Sequence, residues 1–442
     1  MKKSIASIFI FLLAIHFYVS AQVTFESRLN QFIERNMAHY ESLYIDLHQT
    51  PELSFREFKT SDKMAGQLEK LGFEIARNVG GTSLVGVFRN GQGPTVLLRT
   101  DMDALPIIEK TGLPYASDIF YVNENGEKVG AMHACGHDIH MSVWVGTANA
   151  LVEFKDHWKG TLVMIAQQAE EQSGGANAMI KAGLFKMFPV PDYALALHVD
   201  PELKVGTVGY CIGPAFAGVN SVDIHVFGEG GHGAYPHRTI DPVVLASRIV
   251  LDLQTIVSRE LSPLQPAVVT VGSIHGGTQH NIIPDEVDMQ LTIRFYDDLV
   301  YEEIIESIKR ITSGIAAAAG LLEEKYPEVI ISNQYTPPVI NDRELTSQVV
   351  SVMEHALGRE NVIEQEPLMA GEDFGKFGRT PEKIPIMMFM LGSVDAEKYK
   401  VHSEDGTPLP GLHSPLYAPD HFNAIKTGIR IMTESVVVLS NK

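Results

Sequence analysis

The densest group of reactive side chains lies in residues 132–140, Met-His-Ala-Cys-Gly-His-Asp-Ile-His. These nine residues contain three histidines, one thiol and one carboxylate. Cys135 and His137 flank a glycine, which lets the backbone bend sharply enough for both side chains to face one metal ion. Asp138 is placed to accept the second ring N–H of a ligating histidine. We therefore predict a catalytic metal site in this segment.

Two other interpretations of this segment exist. Cys135 could act as a nucleophile with a histidine as its base, or the segment could form a structural zinc site. A structural site normally has a second Cys/His pair at close spacing. The chain has two cysteines, Cys135 and Cys211, and no such second pair. The two thiols could also form a disulfide if the protein is exported. A nucleophilic role for Cys135 therefore stays open as an alternative.

A pair of adjacent carboxylates, Glu170 and Glu171, follows the apolar run Thr161–Ala166. We expect this run to be a buried strand, and its carboxyl end is where α/β enzymes place their chemistry. Carboxylates there are costly unless they are paired or bind metal. One glutamate can bind metal while its neighbour takes a proton from metal-activated water. The alternative is a solvated acidic loop.

Further candidate ligands are weak individually. His198 ends a short apolar strand, and His413 lies in the sequence Leu-His-Ser-Pro. Asp101 and Asp103 follow the predicted strand Thr95–Arg99. A lone histidine at such a place is more often a core residue than a ligand. Together with the two segments above, however, they supply one cysteine, one glutamate and three histidines, which are enough ligands for two metal ions.

Two glycine-rich turns and one arginine form a separate group. Residues 228–237 present His232, residues 276–284 contain Asn281, and Arg294 ends a predicted strand. Their spacing does not fit a phosphate-binding loop or a dinucleotide fingerprint. Ordinary turn chemistry is the alternative explanation for all three.

The charge balance limits the classes of partner. The 442 residues include 35 basic and 54 acidic side chains, which gives a net charge of −19. Nucleic-acid binding depends on Lys and Arg against phosphate, so we expect no nucleic-acid partner. An anionic substrate would need a local basic group to overcome the overall field. The length corresponds to two or three structural units.

The first 21 residues have the pattern of a secretory signal peptide. Lys2 and Lys3 precede the apolar run 5–19, and Val-Ser-Ala at 19–21 is a small-residue cleavage pattern before Gln22. A membrane anchor is the alternative, but the run is short for a span and His16 interrupts it. We predict an exported protein, periplasmic or secreted, without stable membrane insertion once the signal is removed.

The predicted elements position these side chains on two domains. Strands and helices alternate up to about residue 214, with helices predicted at about Phe25–Gln49 and Met141–Phe154. This alternation favours a mixed or parallel sheet covered on both faces. From Asn220 the order is β-α-β-β-α-β, the ferredoxin-like arrangement. We therefore predict a signal peptide at 1–21, a catalytic α/β domain in two parts at 22–214 and 336–442, and an inserted domain at 215–335.

The chain resembles the metal-dependent amidohydrolases that include hippurate hydrolase, N-acyl-amino-acid amidohydrolases and the plant hydrolases of indole-acetyl amino acids, in the aminoacylase and carboxypeptidase clan. The resemblance covers nearly all of the chain after the signal. It rests on seven segments in the family's order, namely L-R-T-D-M-D-A-L-P, M-H-A-C-G-H-D, Q-A-E-E, G-x-G-G-H-G-A-Y-P-H, Q-H-N-I-I-P, G-E-D-F and L-H-S-P.

The resemblance implies a mixed-sheet, zinc-peptidase-like catalytic domain with a ferredoxin-like lid and dimerisation domain. It implies two divalent metal ions (Zn, Mn, Co or Ni) and a homodimer. The ligands that it implies are Cys135, His137, Glu171, His198 and His413. Much of the clan has His-x-Asp after the strand that ends at Arg99, whereas this chain has Asp101-Met-Asp103. Asp103 keeps the orienting role, and the role of Asp101 is left open.

The resemblance also implies catalytic and substrate-binding residues. Glu170 is the general base, and His232 of the lid stabilises the oxyanion, often across a dimer interface. Asn281 and Arg294 hold a substrate carboxylate. The function that this implies is hydrolysis of the amide bond of N-acyl amino acids, with a dipeptidase or carboxypeptidase on the same scaffold as the alternative.

Overall fold

The computed structural model describes residues 24–123 and 125–441, so the predicted signal peptide lies outside the described residues. The helices are α1 (Phe25–Gln49), α2 (Phe58–Lys70), α3 (His137–Glu153), α4 (Gly175–Lys181), α5 (Leu184–Met187), α6 (Pro242–Thr255), α7 (Asp298–Ala318), α8 (Arg343–Leu357), α9 (Gly375–Gly378), α10 (Ala396–Asp405) and α11 (His421–Ser440).

The strands are β1 (Glu74–Ala76), β2 (Leu84–Asn90), β3 (Thr95–Asp101), β4 (Phe120–Val122), β5 (Lys128–Gly130), β6 (Gly160–Gln167), β7 (Tyr193–Lys204), β8 (Val208–Tyr210), β9 (Gly213–Phe216), β10 (Gly218–Phe227), β11 (Gly231–His232), β12 (Ala267–His275), β13 (Ile282–Ile283), β14 (Glu286–Phe295), β15 (Glu328–Ile331), β16 (Val339–Asn341), β17 (Val362–Glu364) and β18 (Ile386–Val394).

A mixed eight-stranded sheet carries the candidate site. Its order is β1-β2-β6-β3-β7-β18-β8-β17, and β6, β3, β7 and β18 run parallel to one another. Leu98 and its neighbour Leu97 on β3 belong to two different hydrophobic cores, one on each face of the sheet. A parallel sheet that is buried on both faces needs such apolar runs.

Helices α1, α3 and α11 pack together over one face of this sheet. The bounds of α1 follow from its ends, because the Thr24 hydroxyl accepts the N–H of Ser27 and Pro51 lies two residues after the last turn. Hydroxyl N-caps and a following proline are strong helix boundaries. Apolar residues at helical spacing, including Leu29, Ile33 and Tyr40, are buried against the other two helices.

The second unit is a four-stranded antiparallel sheet of order β12-β14-β10-β15, with α6 and α7 on one face. Val222, Ile224 and Val226 alternate with more exposed residues along β10 and form part of this unit's own core. The element order is the predicted β-α-β-β-α-β. Its strands lie between Gly218 and Ile331, within the predicted range 215–335.

Some predicted elements differ from the observed ones. Helix α3 begins at His137 and not at Met141, because Gly136 takes a left-handed φ of 74° and the helix starts directly after this glycine. Strand β7 continues past His198 to Lys204. Both cysteines are unpaired and buried, so the possible disulfide is not formed. In the described part of the chain, no helix is long and apolar enough to cross a membrane.

Candidate metal centre

The predicted ligands come together at the carboxyl ends of the central parallel strands. The turn before α3 supplies Cys135 and the first residue of α3 is His137, while the loop after β6 supplies Glu171 and β7 supplies His198. Strand β3 pairs with β6 up to Asp101 and Gln167. Because the carboxyl ends of parallel strands meet at one sheet edge, side chains that are distant in sequence converge there.

Three ligand atoms form a buried group at this edge. Nε2 of His198 lies 3.5 Å from Sγ of Cys135, and ligand atoms of Cys135, His137 and His198 all lie within 4.8 Å of one another. Glycine is favoured at position 136 both by the left-handed φ of 74° and because a Cβ there would lie 2.5 Å from Cγ2 of Val199. The glycine between the two ligands therefore serves both the bend and the close packing on β7.

Backbone carbonyls fix the tautomer of both histidines. Nδ1 of His137 donates to the carbonyl of Asp103 at 2.8 Å, and Nδ1 of His198 donates to the carbonyl of Val199 at 2.8 Å. Because each Nδ1 donates to a carbonyl, each Nε2 is the ring nitrogen that faces the cluster and can bind a cation. Burial and the neighbouring His140 lower the pKa of His198 to about 3, which keeps this ring neutral.

Glu171 and His413 extend the group toward solvent. Nε2 of His413 lies 3.4 Å from Oε2 of Glu171, and Oε1 of Glu171 lies 3.9 Å from Nε2 of His137. His413 has a φ of 61°, and its N–H donates to the carbonyl of Ala134 at 2.9 Å. Cys135, Glu171 and His413 form a second group of ligand atoms within 4.8 Å.

These five side chains fit two metal ions. Donors that lie about 2.0–2.3 Å from one ion are roughly 3–4 Å apart, which is the spacing of the pairs above. Nε2 of His137 and Oε1 of Glu171 are buried without a hydrogen-bond partner among the described residues. Burial would lower the pKa of His137, but nearby carboxylates, Asp101 first, raise it to about 10. The surrounding carboxylates thus create excess negative charge that favours a cation at Nε2 of His137, either a proton or, in its place, a metal ion.

Asp103 links the ligands to the glutamate pair. Its Oδ1 accepts the N–H of Glu170 at 3.0 Å, its Oδ2 accepts the N–H of Glu171 at 3.1 Å, and the Ser54 hydroxyl donates to Oδ2 at 2.7 Å. The carboxylate is fully buried. Asp103 therefore contacts the site as predicted for an orienting residue. Its carboxylate holds the N–H groups of the two glutamates, and its carbonyl accepts from His137.

Asp101 lies beside the ligands in a network of its own. Its Oδ1 accepts from Nδ1 of His140 at 2.7 Å, and its Oδ2 accepts from Nη1 of Arg99 at 2.6 Å. Nε2 of His140 accepts the N–H of Val199 at 2.9 Å, so both ring nitrogens of His140 are in use. Asp101 therefore contributes negative charge 3.8 Å from Nε2 of His137 while both of its oxygens are hydrogen-bonded.

The prediction that Asp138 accepts a hydrogen bond from a ligating histidine is wrong. Oδ2 of Asp138 lies 2.7 Å from Nδ1 of His48, on helix α1. The carbonyl of Asp103 takes that role for His137 instead. Asp138 is adjacent to His137 in sequence, but it lies in the first turn of α3 and faces α1. Adjacency in sequence therefore did not identify the residue that accepts from His137.

Glu170 lies among other carboxylates. Its carboxylate oxygen is within 4.8 Å of carboxylate oxygens of Glu372 and Asp373. Burial, then Glu372 and Glu171, raise the pKa of Glu170 well above its ordinary value, and Arg99 opposes the shift. Arg99 donates to Glu372 at 2.9 Å and lies 3.3 Å from Asp373. A buried carboxylate with a raised pKa is suited to accept and return a proton near neutrality.

The environment of the Cys135 thiol weighs against a cysteine nucleophile. Burial, followed by the charges of Glu171, Glu170 and Asp101, raises its pKa well above the ordinary value. A reactive thiol needs the opposite shift. A bound cation would reverse this effect, so the arrangement favours the thiol as a metal ligand.

Of the residues predicted on the inserted lid domain, His232 and Asn281 make no contact with the metal-site residues among those described. His232 is exposed on the ribbon that β11 forms with β13, and its Nδ1 accepts the N–H of Ala234 at 3.1 Å. No described contact joins it to the metal-site residues. The Asn281 carbonyl accepts the N–H of Gly233 at 2.8 Å, so Asn281 neighbours the turn that carries His232.

Arg294 reaches the catalytic domain from strand β14. A Cβ on Gly371 would lie 3.4 Å from Nη1 of Arg294, and Gly371 directly precedes Glu372. Burial lowers the pKa of Arg294. Across residues 24–123 and 125–441, its guanidinium has no partner in a hydrogen bond or an ion pair. A partly buried arginine without an anion beside it is a fitting site for a substrate carboxylate.

Several residues of the site were not assigned from sequence. They include Arg99, His140, Glu372 and Asp373, all fully or nearly fully buried. Arg99 and Glu372 lie inside the quoted segments L-R-T-D-M-D and G-E-D-F, which is the signal that could have identified them. A buried arginine after an apolar strand requires carboxylate partners.

Comparisons with known proteins agree with this geometry. The model of peptidase family M20/M25/M40 matches residues 97–407. The chain is 37% identical over 365 residues to thermostable carboxypeptidase 2 of Saccharolobus solfataricus, which covers 81% of this chain and 87% of that one. It is 38% identical over 400 residues to N-acetyldiaminopimelate deacetylase of Bacillus subtilis, covering 90% and 97%.

Among solved structures, the YXEP protein of Bacillus subtilis, described as a dinuclear metal-binding peptidase of the M20 family, has a TM-score of 0.75 at 28% identity. The match covers 92% of this chain and 99% of that one.

Proposed function

This chain belongs to peptidase family M20/M25/M40 and is a metal-dependent hydrolase of amide bonds, and we propose that it uses two divalent metal ions to cleave N-acyl amino acids. The observation that carries the proposal is the convergence of five ligand side chains, in which Nε2 of His137 and Oε1 of Glu171 are buried without a hydrogen-bond partner among the described residues. The ligands in this proposal are Cys135, His137, Glu171, His198 and His413.

The chemistry divides between the ions and the protein. When bound, the ions supply Lewis acidity and lower the pKa of water toward neutrality. Glu170 accepts the proton of the attacking water at its carboxylate and later returns it to the leaving amine. Asp103 holds the N–H groups of both Glu170 and Glu171, so the base keeps a fixed position relative to the ligands.

Substrate binding involves the lid. The Arg294 guanidinium, beside Gly371, takes the carboxylate of the amino-acid part, and Asn281 assists it. Since Nδ1 of His232 accepts a backbone N–H, its proton is on Nε2 and is available to an oxyanion. His232 is exposed on the lid, so it acts after lid closure or from the second subunit of a homodimer.

A substrate panel tests this proposal. Hippurate and N-acetyl amino acids should be cleaved faster than unmodified dipeptides, and removal of the metal should abolish all of these activities. The second candidate function is a carboxypeptidase or dipeptidase, favoured by the 37% identity to thermostable carboxypeptidase 2. A clear preference for dipeptides or longer peptides over N-acyl amino acids would select this candidate.

The protein is also proposed to be exported, on the pattern of Lys2, Lys3, the apolar run 5–19 and the cleavage pattern at 19–21. N-terminal sequencing of the protein from its native host should begin at Gln22. A cytoplasmic protein that retains Met1 would refute export without bearing on the reaction.

A further inference from the structure

Like Asp103, the buried carboxylate of Glu57 contacts the loop of residues 169–171, which carries Glu170 and Glu171 and is called the glutamate loop below. It is fully buried in the segment between α1 and α2. Its Oε1 accepts the N–H of Phe55 at 2.9 Å and the N–H of Ala169 at 2.8 Å. Its Oε2 accepts the Thr82 hydroxyl at 2.6 Å. No lysine or arginine pairs with it among the described residues, so its partners are these neutral donors.

Ala169 directly precedes the glutamate pair and has an unusual backbone. Its φ is 47°, in the left-handed region that residues with a Cβ rarely adopt. Phe55 also has a positive φ, of 63°. Strain of this kind persists only where surrounding contacts impose it. One oxygen of Glu57 holds the N–H of both strained residues.

The N–H groups of Ala169, Glu170 and Glu171 are therefore all held by carboxylates. Glu57 holds the first, and the two oxygens of Asp103 hold the second and third. Three successive N–H groups that point to fixed acceptors leave this turn little freedom. The direction in which the Glu170 side chain leaves the backbone depends on the conformation of Ala169.

We propose that Glu57 is a positioning residue, whose Oε1 fixes the strained turn at Ala169 and thereby holds Glu170 in place for proton transfer. This inference rests on the proposed role of Glu170 as the base. It concerns the reach and hydrogen-bond geometry of Glu57, not its charge.

The surroundings of Glu57 favour geometry over charge. Burial, together with the charge of Asp103, raises the pKa of Glu57 to about 7, so the site does not strongly stabilise the charged form. A glutamine could keep its carbonyl oxygen at the position of Oε1. Its amide group could then donate to the Thr82 hydroxyl, because that hydroxyl has another acceptor in Oε1 of Gln168 at 2.9 Å.

Two substitutions separate reach from charge. Glu57→Gln keeps the length and removes the charge, whereas Glu57→Asp keeps the charge and withdraws the carboxylate by about 1.5 Å. The matched control is Glu52→Asp in the same segment. Glu52 is also a buried carboxylate, but its Oε2 accepts the N–H and hydroxyl of Thr60 at the start of α2 and holds nothing in the glutamate loop.

The first readout is steady-state kinetics of the metal-loaded, full-length protein on its best amide substrate. Glu57→Asp should lower kcat by about a hundredfold, the order expected for a base misplaced by about 1 Å, with KM and metal content near wild type. Glu57→Gln should stay within about tenfold of wild type, the size of one neutral hydrogen bond. Glu52→Asp should leave kcat unchanged even if it lowers Tm.

The second readout does not depend on activity. Hydrogen exchange of the Ala169 amide should accelerate in Glu57→Asp but not in Glu52→Asp, because only the former loses the acceptor of that N–H. If Glu57→Gln loses as much turnover as Glu57→Asp, or if exchange at Ala169 is the same in all variants, the positioning role is wrong. A wild-type protein that cleaves no amide would instead refute the proposed function, and the exchange result would still decide the positioning of the loop.

Discussion

The backbone carbonyl of Asp103 accepts the Nδ1 proton of His137 at 2.8 Å. The same residue holds the N–H groups of Glu170 and Glu171 through its carboxylate. Asp103, which follows strand β3, thus orients both a proposed metal ligand and the loop that carries the proposed base. Partners of this kind, one contact away from the metal, commonly affect metal affinity and activity.

Asp103→Asn should therefore weaken metal binding by about 10–100-fold. Its amide nitrogen would face one of the two N–H groups that the carboxylate now accepts, which leaves that donor unpaired. Metal titration of the stripped protein measures the effect. Ser54→Ala is the control, since it removes only the hydroxyl that donates to Oδ2 at 2.7 Å. Equal metal affinity of Asp103→Asn and wild type would show that this carboxylate does not support the site.

Glu170→Gln should keep both metal ions and lose turnover by at least about a hundredfold, because the amide cannot accept the proton. Glu171→Gln is the matched substitution one residue later and should instead reduce the metal content. Metal analysis and kcat on the same preparations separate the two effects. Near-normal turnover of Glu170→Gln would assign the base to another residue.

His232→Ala and Arg294→Ala should affect different kinetic constants. A residue that acts only on the transition state lowers kcat and leaves KM within a few-fold, which we expect for His232. Loss of Arg294 should mainly raise KM, by about 1.5–3 kcal/mol of binding free energy for a charge-assisted contact. A hydrophobic amide that lacks the carboxylate should be insensitive to Arg294→Ala. Equal losses on both substrates would remove the proposed role.

Mixing two inactive variants tests whether His232 acts across subunits. Subunit exchange between His232→Ala and Glu170→Gln creates a hybrid site in which both residues are intact, so activity should return. If exchange is demonstrated and no activity returns, His232 acts within its own chain or has no part in catalysis.

Local sequence patterns predicted much of the fold. Helix α1 has its predicted bounds, Phe25–Gln49, because a hydroxyl cap and a proline mark its two ends. Strand β18 was not assigned individually. All nine of its residues, from Ile386 to Val394, are buried. Its apolar run, residues 386–391, shows no alternation and therefore does not distinguish a strand from a buried helix.

The site divides in the same way. Cys135 and His137 were predictable because one short segment carries both. The Arg99–Glu372 ion pair joins residues 273 positions apart, and Glu57 reaches Ala169 across 112 positions. Such contacts depend on the order of strands in the sheet, which no local spacing encodes. The family resemblance implied roles for individual residues, and the contacts that surround those residues came only from the structure.

His48 gives the fold a predicted pH dependence. Burial opposes its charge, but hydrogen bonds with Asp138 and Glu109 raise its pKa to about 9. The folded-state pKa of His48 is thus above its pKa in the unfolded chain, about 6.5. The stabilisation from its proton is therefore complete below pH 6.5 and is lost as the pH rises through about 9. The loss should be on the order of 3 kcal/mol.

Denaturant unfolding of wild type and His48→Gln at pH 6, 7.5 and 10 measures this contribution, since the difference between the two proteins cancels the other titrating groups. The stability gap should narrow toward pH 10. A gap that stays constant with pH would mean that His48 carries no extra proton in the folded state.

Metal removal tests the central claim most directly. The protein is stripped with a chelator, its metal content is verified, and amide hydrolysis is followed while a divalent ion is added back. We predict no turnover in the stripped protein and full recovery at two ions per chain, with Cys135→Ser failing to reach that stoichiometry. Full activity of a verified metal-free preparation, or its loss only on thiol alkylation, would contradict the two-metal account and restore the cysteine nucleophile.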